Sequence, residues 1–216
     1  LYKPDIREAN RDKIFDFLEE ESADVICFQE FFHQENSATF QTKDLMIPLL
    51  EMPYYQERYT HELAQNRYFG VATFSKYPIV NKGEIPFEND DNNYCIYTDI
   101  VKAGDTIRVF NAHIGSIRLQ NDDYEFFGDQ EGPQGYLDDK KAGQRILGRI
   151  KNAFEKRAVQ VEIVAEKIAE SPYPVIYCGD MNDTPVSYSY RQINNLLYDG
   201  FVESGNGIGQ KYIGKV

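Results

Sequence analysis

Short apolar runs separated by polar or turn-forming residues recur along almost the whole chain. Residues 6–20 carry apolar positions at helical spacing, Ile14, Phe17 and Leu18 among them, and predict a helix. Residues 24–28 then form a short apolar run that predicts a buried strand. Residues 38–50 suit a second helix stopped by Pro53, and 54–59, 69–74, 79–85 and 94–101 are expected as strands. Ala103-Gly104-Asp105 supplies a hairpin turn into a further strand over 106–110. A helix running to about residue 170 precedes the last apolar run, 175–178. Consecutive strands pair antiparallel, so the pattern predicts an α/β protein with a mixed sheet, not a simple doubly wound one.

The chemistry is concentrated where these runs stop. The stretch PVIYCGDMNDTP, residues 174–185, places Asp180, Asn182 and Asp183 just past a buried strand, and Thr184-Pro185 then turns the backbone away from helix. Open α/β sheets bind ligands at the carboxyl ends of their strands. Hard oxygen ligands of this kind suit Mg²⁺, which commonly works on phosphates. The plain alternative is an acidic turn that merely ends a strand. Two other runs repeat the arrangement: 24–28 ends at Gln29-Glu30, and 106–110 ends at Asn111-Ala112-His113. If the three strands lie side by side, one cleft holds a carboxylate, an imidazole and an Asp/Asn pair. A metal-assisted hydrolase needs such a set: a metal ligand, a group to meet phosphate charge and a base for water.

The segments CFQE (27–30), FNAHIG (110–115) and GDMNDTP (179–185) resemble signatures of the endonuclease/exonuclease/phosphatase superfamily, and YFGVATFSKYPI (68–79) is similar to that family's central strand. All four occur in the family's order across nearly the whole chain, which is far more specific than any one of them. The resemblance implies a four-layer α/β sandwich, with two packed mixed β-sheets flanked by helices, formed by residues 1–216 as one domain. It implies Glu30 as the magnesium ligand, His113 as the group contacting the scissile phosphate, Asp180 as the residue that orients or deprotonates water, and Asn182 as a phosphate-binding residue. It further implies Mg²⁺ (or Mn²⁺) as cofactor and a phosphoester, most often a phosphodiester, as substrate: nucleic acid, phospholipid headgroup or small phosphodiester. For each residue there is a structural alternative: a turn cap for Glu30, a satisfied core histidine for His113, an ordinary turn residue for Asn182. His33 shows that polar residues gather near Glu30 in any case.

The chain departs from the family pattern at both ends. The first strand with its metal-binding asparagine and the final Asp-His pair are not found, and no histidine follows His113. The expectation is a domain truncated at both ends, so that the isolated chain lacks its terminal base and one ligand. A non-catalytic member that binds a phosphorylated ligand or another protein is the alternative.

Composition narrows the picture further. A chain of 216 residues with 42% hydrophobic content can bury a core of ordinary size for one domain. Its three cysteines, Cys27, Cys95 and Cys178, all fall in apolar runs, which argues for buried thiols and against a disulfide framework. No run of about eighteen apolar residues is present, so a soluble domain is expected, with a membrane anchor on the parent protein left open. The net charge of −12 counts against general nucleic-acid binding, which relies on Lys and Arg. Residues 121–139 form an acidic stretch expected as a long loop bordering the cleft. Residues 140–157 are basic, expected either as a phosphate- or membrane-facing patch or as a solvated helix face pairing with that loop. No obligate protein partner is indicated.

Overall fold

Helix α1 (Pro4–Glu21) leads into β1 (Val25–Gln34), α2 (Thr42–Leu49) and five consecutive strands. These are β2 (Tyr54–Leu63), β3 (Arg67–Ser75), β4 (Ile79–Pro86), β5 (Tyr94–Lys102) and β6 (Asp105–His113). Helix α3 (Tyr136–Ala169), strand β7 (Val175–Asp180) and the short helices α4 (Tyr188–Asn194) and α5 (Gly200–Ser204) follow. The structure, a computed structural model, describes residues 4–88, 90–117 and 136–205, without the side chains of 4–6 and 136–142. The acidic stretch 121–139 therefore lies outside the residues described in full. The chain divides into two units, one made of Leu1–Ile114 with Glu170–Asp180, the other of Gly115–Ala169 with Met181–Val216.

The first unit contains both sheets. One has the order β1-β3-β2 and is antiparallel throughout; the other has the order β4-β5-β6-β7, with β6 and β7 parallel. The α/β class and two packed sheets flanked by helices agree with the sequence-based expectation, the mixed pairing being confined to the second sheet. Ile26, Phe31, Met46, Leu50, Met52 and Phe74 form a core between the first sheet and its helices, against which Phe15 and Leu18 of α1 pack. Ile14 and Phe17, expected on the buried face of that helix, are instead half exposed. Arg11 lies over the Phe15 ring, so the buried stripe runs through positions 11, 15 and 18.

Strand β1 is longer than its apolar run. It does not stop at Phe28 but continues to Gln34, because two residues, Gln29 and Glu30, bulge opposite Val71 while Phe28 pairs with Ala72 and Phe31 with Gly70. Strand side chains alternate faces, so without the bulge Phe28 and Phe31 would point in opposite directions. With it, both join the cluster around Phe74, at ring distances of 6.0 and 5.6 Å.

A buried polar hub joins the two sheets. Asn111 of β6 is fully buried, and its amide donates to the carbonyls of Ala72 (2.9 Å) and Phe28 (3.2 Å) and to Thr73 Oγ1 (3.1 Å). Its Oδ1 accepts from Gln29 Nε2 at 2.7 Å. Every polar atom of this side chain thus meets the opposite sheet, as burial demands. Replacing it by leucine strands the Gln29 amide and the Thr73 hydroxyl, and should cost about 2–4 kcal/mol in urea denaturation. An unchanged midpoint for Asn111→Leu would refute the hub.

His33, near the end of β1, is buried and stacked on Tyr59 at 6.2 Å, and its Nδ1 has no hydrogen-bond partner. Burial, and then the Lys43 charge, hold its pKa below the ordinary value of about 6.5, while Asp44, Glu57 and Glu35 pull the other way. The unfolded chain therefore binds this proton more readily than the folded one. Stability is full above the unfolded pKa and is lost as pH falls from there through the folded value. The denaturation midpoint should drop on acidification from pH 7, and His33→Phe should flatten that drop; an identical slope in the variant contradicts the assignment.

Candidate active site

The parallel pairing of β6 with β7 sets His113 opposite Asp180, with the amide of Ile114 donating to the Asp180 carbonyl at 2.9 Å. Residues paired in this way project to the same face of a sheet. Asn111, two residues before His113, points at the first sheet, so His113 and Asp180 face that way too. The glycine preceding Asp180 is required by packing. A Cβ on Gly179 would lie 2.6 Å from the Tyr177 hydroxyl and 2.9 Å from the Ala112 carbonyl oxygen.

Glu30 reaches the same place from the other sheet. It sits in the β1 bulge at φ 55°, in the left-handed region, and its side chain is 76% exposed. A carboxylate aligned with the regular pleat would alternate into one sheet face; the bulge turns it outward at the end of the sandwich. Glu30 Oε1 lies 3.9 Å from His113 Nε2. Both line an open cleft of about 260 Å³ together with Thr60, His61, Leu63, Phe69, Gly70 and Asn92.

The cleft depends on β3. On either side of Gly70 both neighbours of this strand leave regular register: β1 through Gln29-Glu30, opposite Val71, and β2 through Thr60, since Tyr59 pairs with Gly70 and His61 with Phe69. A Cβ on Gly70 would stand 1.9 Å from the Arg58 carbonyl oxygen and 2.7 Å from the Tyr59 Cα. Both contacts are to backbone, which cannot swing aside.

Three of the four candidate residues, Glu30, His113 and Asp180, thus lie in the first unit on neighbouring strand ends. They do not come from three adjacent strands of one sheet: β1 belongs to the facing sheet. Asn182 lies in the second unit, two residues after Asp180 along the chain, at φ 48°. The residue after it is held firmly. Asp183 Oδ2 pairs with Arg157 Nε at 3.0 Å, and both side chains are almost fully buried. Arg157 also donates to the Gly115 carbonyl at 3.2 Å, while the Gly115 amide donates to Gln160 at 2.8 Å. Arg157 accordingly fits neither the phosphate-facing nor the solvated-face expectation for residues 140–157. It is an internal clamp on the segments that follow β6 and β7.

Four residues of this region were not singled out from sequence. Gln29 and Asn111 were visible as polar residues beside Glu30 and His113, but their hydrogen bond spans 82 positions. Thr60 and His61 gave no signal, because their placement depends on the bulge. The thiols Cys27 and Cys178, expected to be buried and inert, interact: the hydrogen bond to Cys178 and burial raise the Cys27 pKa, and the same contact lowers that of Cys178.

The donor set also bears on metal binding. Among the described residues no three His, Cys, Asp or Glu side chains cluster into a cage. Glu30 offers a single solvent-facing carboxylate, which fits an ion such as Mg²⁺ that takes one or two protein carboxylates and keeps several waters.

A carboxylate, an imidazole and an aspartate gathered at the strand ends of a two-sheet α/β sandwich define a candidate hydrolase-type site. The sequence profile of the Endonuclease/Exonuclease/phosphatase family matches residues 5–212, and the chain belongs to that family. Solved structures share the fold. Sphingomyelinase C from Streptomyces griseocarneus is 19% identical at a TM-score of 0.57, covering 87% of this chain and 61% of its own. D. rerio TDP2 humanized by 14 mutations is 16% identical at 0.55, covering 87% and 63%. Beta toxin from Staphylococcus aureus is 20% identical at 0.51, covering 86% and 63%. The chain thus spans somewhat under two thirds of the length of these structures. No match was found among curated protein sequences.

Substituting Gly70 by alanine forces the bulged backbone of β2 away from β3. It should destabilise the fold by about 1–3 kcal/mol. Thermal melting of Gly70→Ala checks this, and wild-type stability would show that the double bulge is not anchored there.

Proposed function

We propose that the chain carries a metal-dependent phosphoester hydrolase site acting on phosphodiesters, with Mg²⁺, or Mn²⁺ in its place, as the ion. The observation that carries this reading is the approach of Glu30 to His113 at 3.9 Å beside an aspartate in register with that histidine. The continuous family match over both units supports treating residues 1–216 as parts of one domain. Fold neighbours include a sphingomyelinase C and a TDP2 complexed with a single strand DNA product, both names that point to phosphodiester chemistry.

In this reading Glu30 holds the metal, which when bound supplies positive charge against the phosphate. His113 donates a hydrogen bond from Nε2 to a non-bridging phosphate oxygen and gains strength as charge accumulates there. Asp180 accepts a hydrogen bond from the attacking water and takes its proton. Asn182 adds an amide donor to the phosphate. The Asn111 hub acts one step away: it fixes Gln29, and so the bulge that aims Glu30, and it lies on the strand that carries His113.

In the full-length protein, with Mg²⁺ and bis-p-nitrophenyl phosphate, Glu30→Gln, His113→Ala and Asp180→Asn should each lower kcat/KM by about 10²–10⁴-fold while leaving the circular dichroism spectrum intact. Chelation should abolish turnover, and Mg²⁺ or Mn²⁺ should restore it. Turnover close to that of the parent in all three variants would remove the assignment; a parent that binds phosphate with Mg²⁺ but shows no turnover would favour a non-catalytic phosphate-binding role.

A further inference from the structure

We propose that the β2–β3 hairpin is the specificity wall of this cleft, and that it selects a phosphoester carrying one compact apolar substituent, such as a single aromatic ring. The inference rests on the phosphoester reading of the polar end and adds the nature of the organic group.

The cleft has two chemically different sides. Glu30, His113 and Asn92 supply the polar side, from β1, from β6 and from the segment between β4 and β5. Leu63 and Phe69 supply the apolar side, from the two strands of one hairpin. Leu63 is 43% exposed although it stands at the end of a strand rather than in a core cluster. An exposed leucine alone means little, but here it borders a concave site beside a second apolar side chain and a charged one. Phe69 is anchored from behind by Phe32, at a ring distance of 4.9 Å, so this side is stiff.

The wall is placed by the same irregularity that aims Glu30. Because β2 carries one extra residue at Thr60, His61 pairs with Phe69, whereas a regular ladder would pair Thr60 there. From that point to its end the strand is shifted by one residue, which exchanges the faces of all its side chains and decides where Leu63 projects. Glu30 and Leu63 are therefore set by bulges that flank one residue of β3, Gly70.

Size and charge select the substituent. About 260 Å³ falls at or below the lower end of ordinary small-molecule sites, so a phosphate and one ring or short branched chain fill it. A polynucleotide would need cationic side chains along its backbone. Among the described residues the cleft lining contains no lysine or arginine, and the chain carries a net charge of −12.

The test compares two phosphate monoesters that differ only in the organic group, phenyl phosphate and methyl phosphate, by calorimetric titration of the protein with Mg²⁺ present. The parent protein should bind phenyl phosphate about tenfold or more tighter, the discrimination a hydrophobic pocket gives for a group of this size. Leu63→Gln should bring that ratio close to one while methyl phosphate binds as before; its melting temperature should hold, since the side chain is exposed. Leu63→Phe should keep the preference, which separates loss of apolar surface from a disturbed hairpin. A ratio near one in the parent, or one that survives Leu63→Gln unchanged, overturns the inference while the hydrolase reading stands. Failure of both esters to bind overturns the phosphate reading and this inference with it. A preserved ratio without turnover supports the wall and counts against hydrolysis alone.

Discussion

The side-chain amide of Asn111 is the constraint on which the first unit turns. A fully buried amide in a two-sheet sandwich must find all its partners inside the protein, and here they lie on the opposite sheet. One carbonyl it satisfies, that of Phe28, is the last paired residue before the β1 bulge, and its own oxygen accepts from Gln29 within that bulge. The sheets therefore cannot slide past one another without stranding several buried groups. Register between them is fixed by polar geometry more sharply than apolar packing could achieve, because hydrogen bonds weaken steeply with angle and hydrophobic contacts do not.

The bulges convert that register into a site. A regular strand would send alternate residues to the core and to the opposite face, and a glutamate on β1 would have to choose between them. Two residues opposite one on β3 release Glu30 from that choice at the cost of a left-handed backbone, about 1 kcal/mol or more for a residue other than glycine. Strain of this kind persists where the surroundings over-determine it, and here Phe28 and Phe31 on either side are pinned in the Phe74 core. Gly70 of β3 makes room for the neighbouring bulge of β2, where a Cβ would collide with the Arg58 carbonyl.

The second unit contains a comparable device of opposite polarity. Arg157, in the middle of a long helix with many charged neighbours, is buried against Asp183 and the Gly115 carbonyl. Buried ion pairs are weak evidence for stability, since desolvation offsets much of their attraction. They are geometrically demanding, however, and this one ties together the residues that directly follow strands β6 and β7. A helix read as a charged surface thus has one residue whose work is internal.

Much of the fold was legible in the chain itself. Every expected strand was found, with ends within a few residues, apart from β1, because short apolar runs bounded by turn residues need burial whatever packs on them. Glu30, His113, Asp180 and Asn182 stood out because they follow apolar runs at the carboxyl ends of strands, where α/β sheets place their ligands. The motif order in addition pointed to the family to which the chain belongs. What the sequence could not show was pairing. That β1 continues past Glu30, that Ile14 and Phe17 of the first helix are exposed while Phe15 is not, and that Asn111 bonds to Gln29 across 82 residues all depend on which surfaces meet. The reason is physical: composition and periodicity decide what must be buried, a local property of each segment. Only the tertiary arrangement decides against what, and in this protein that choice aims Glu30 at His113 and places Thr60, His61 and Leu63 around them.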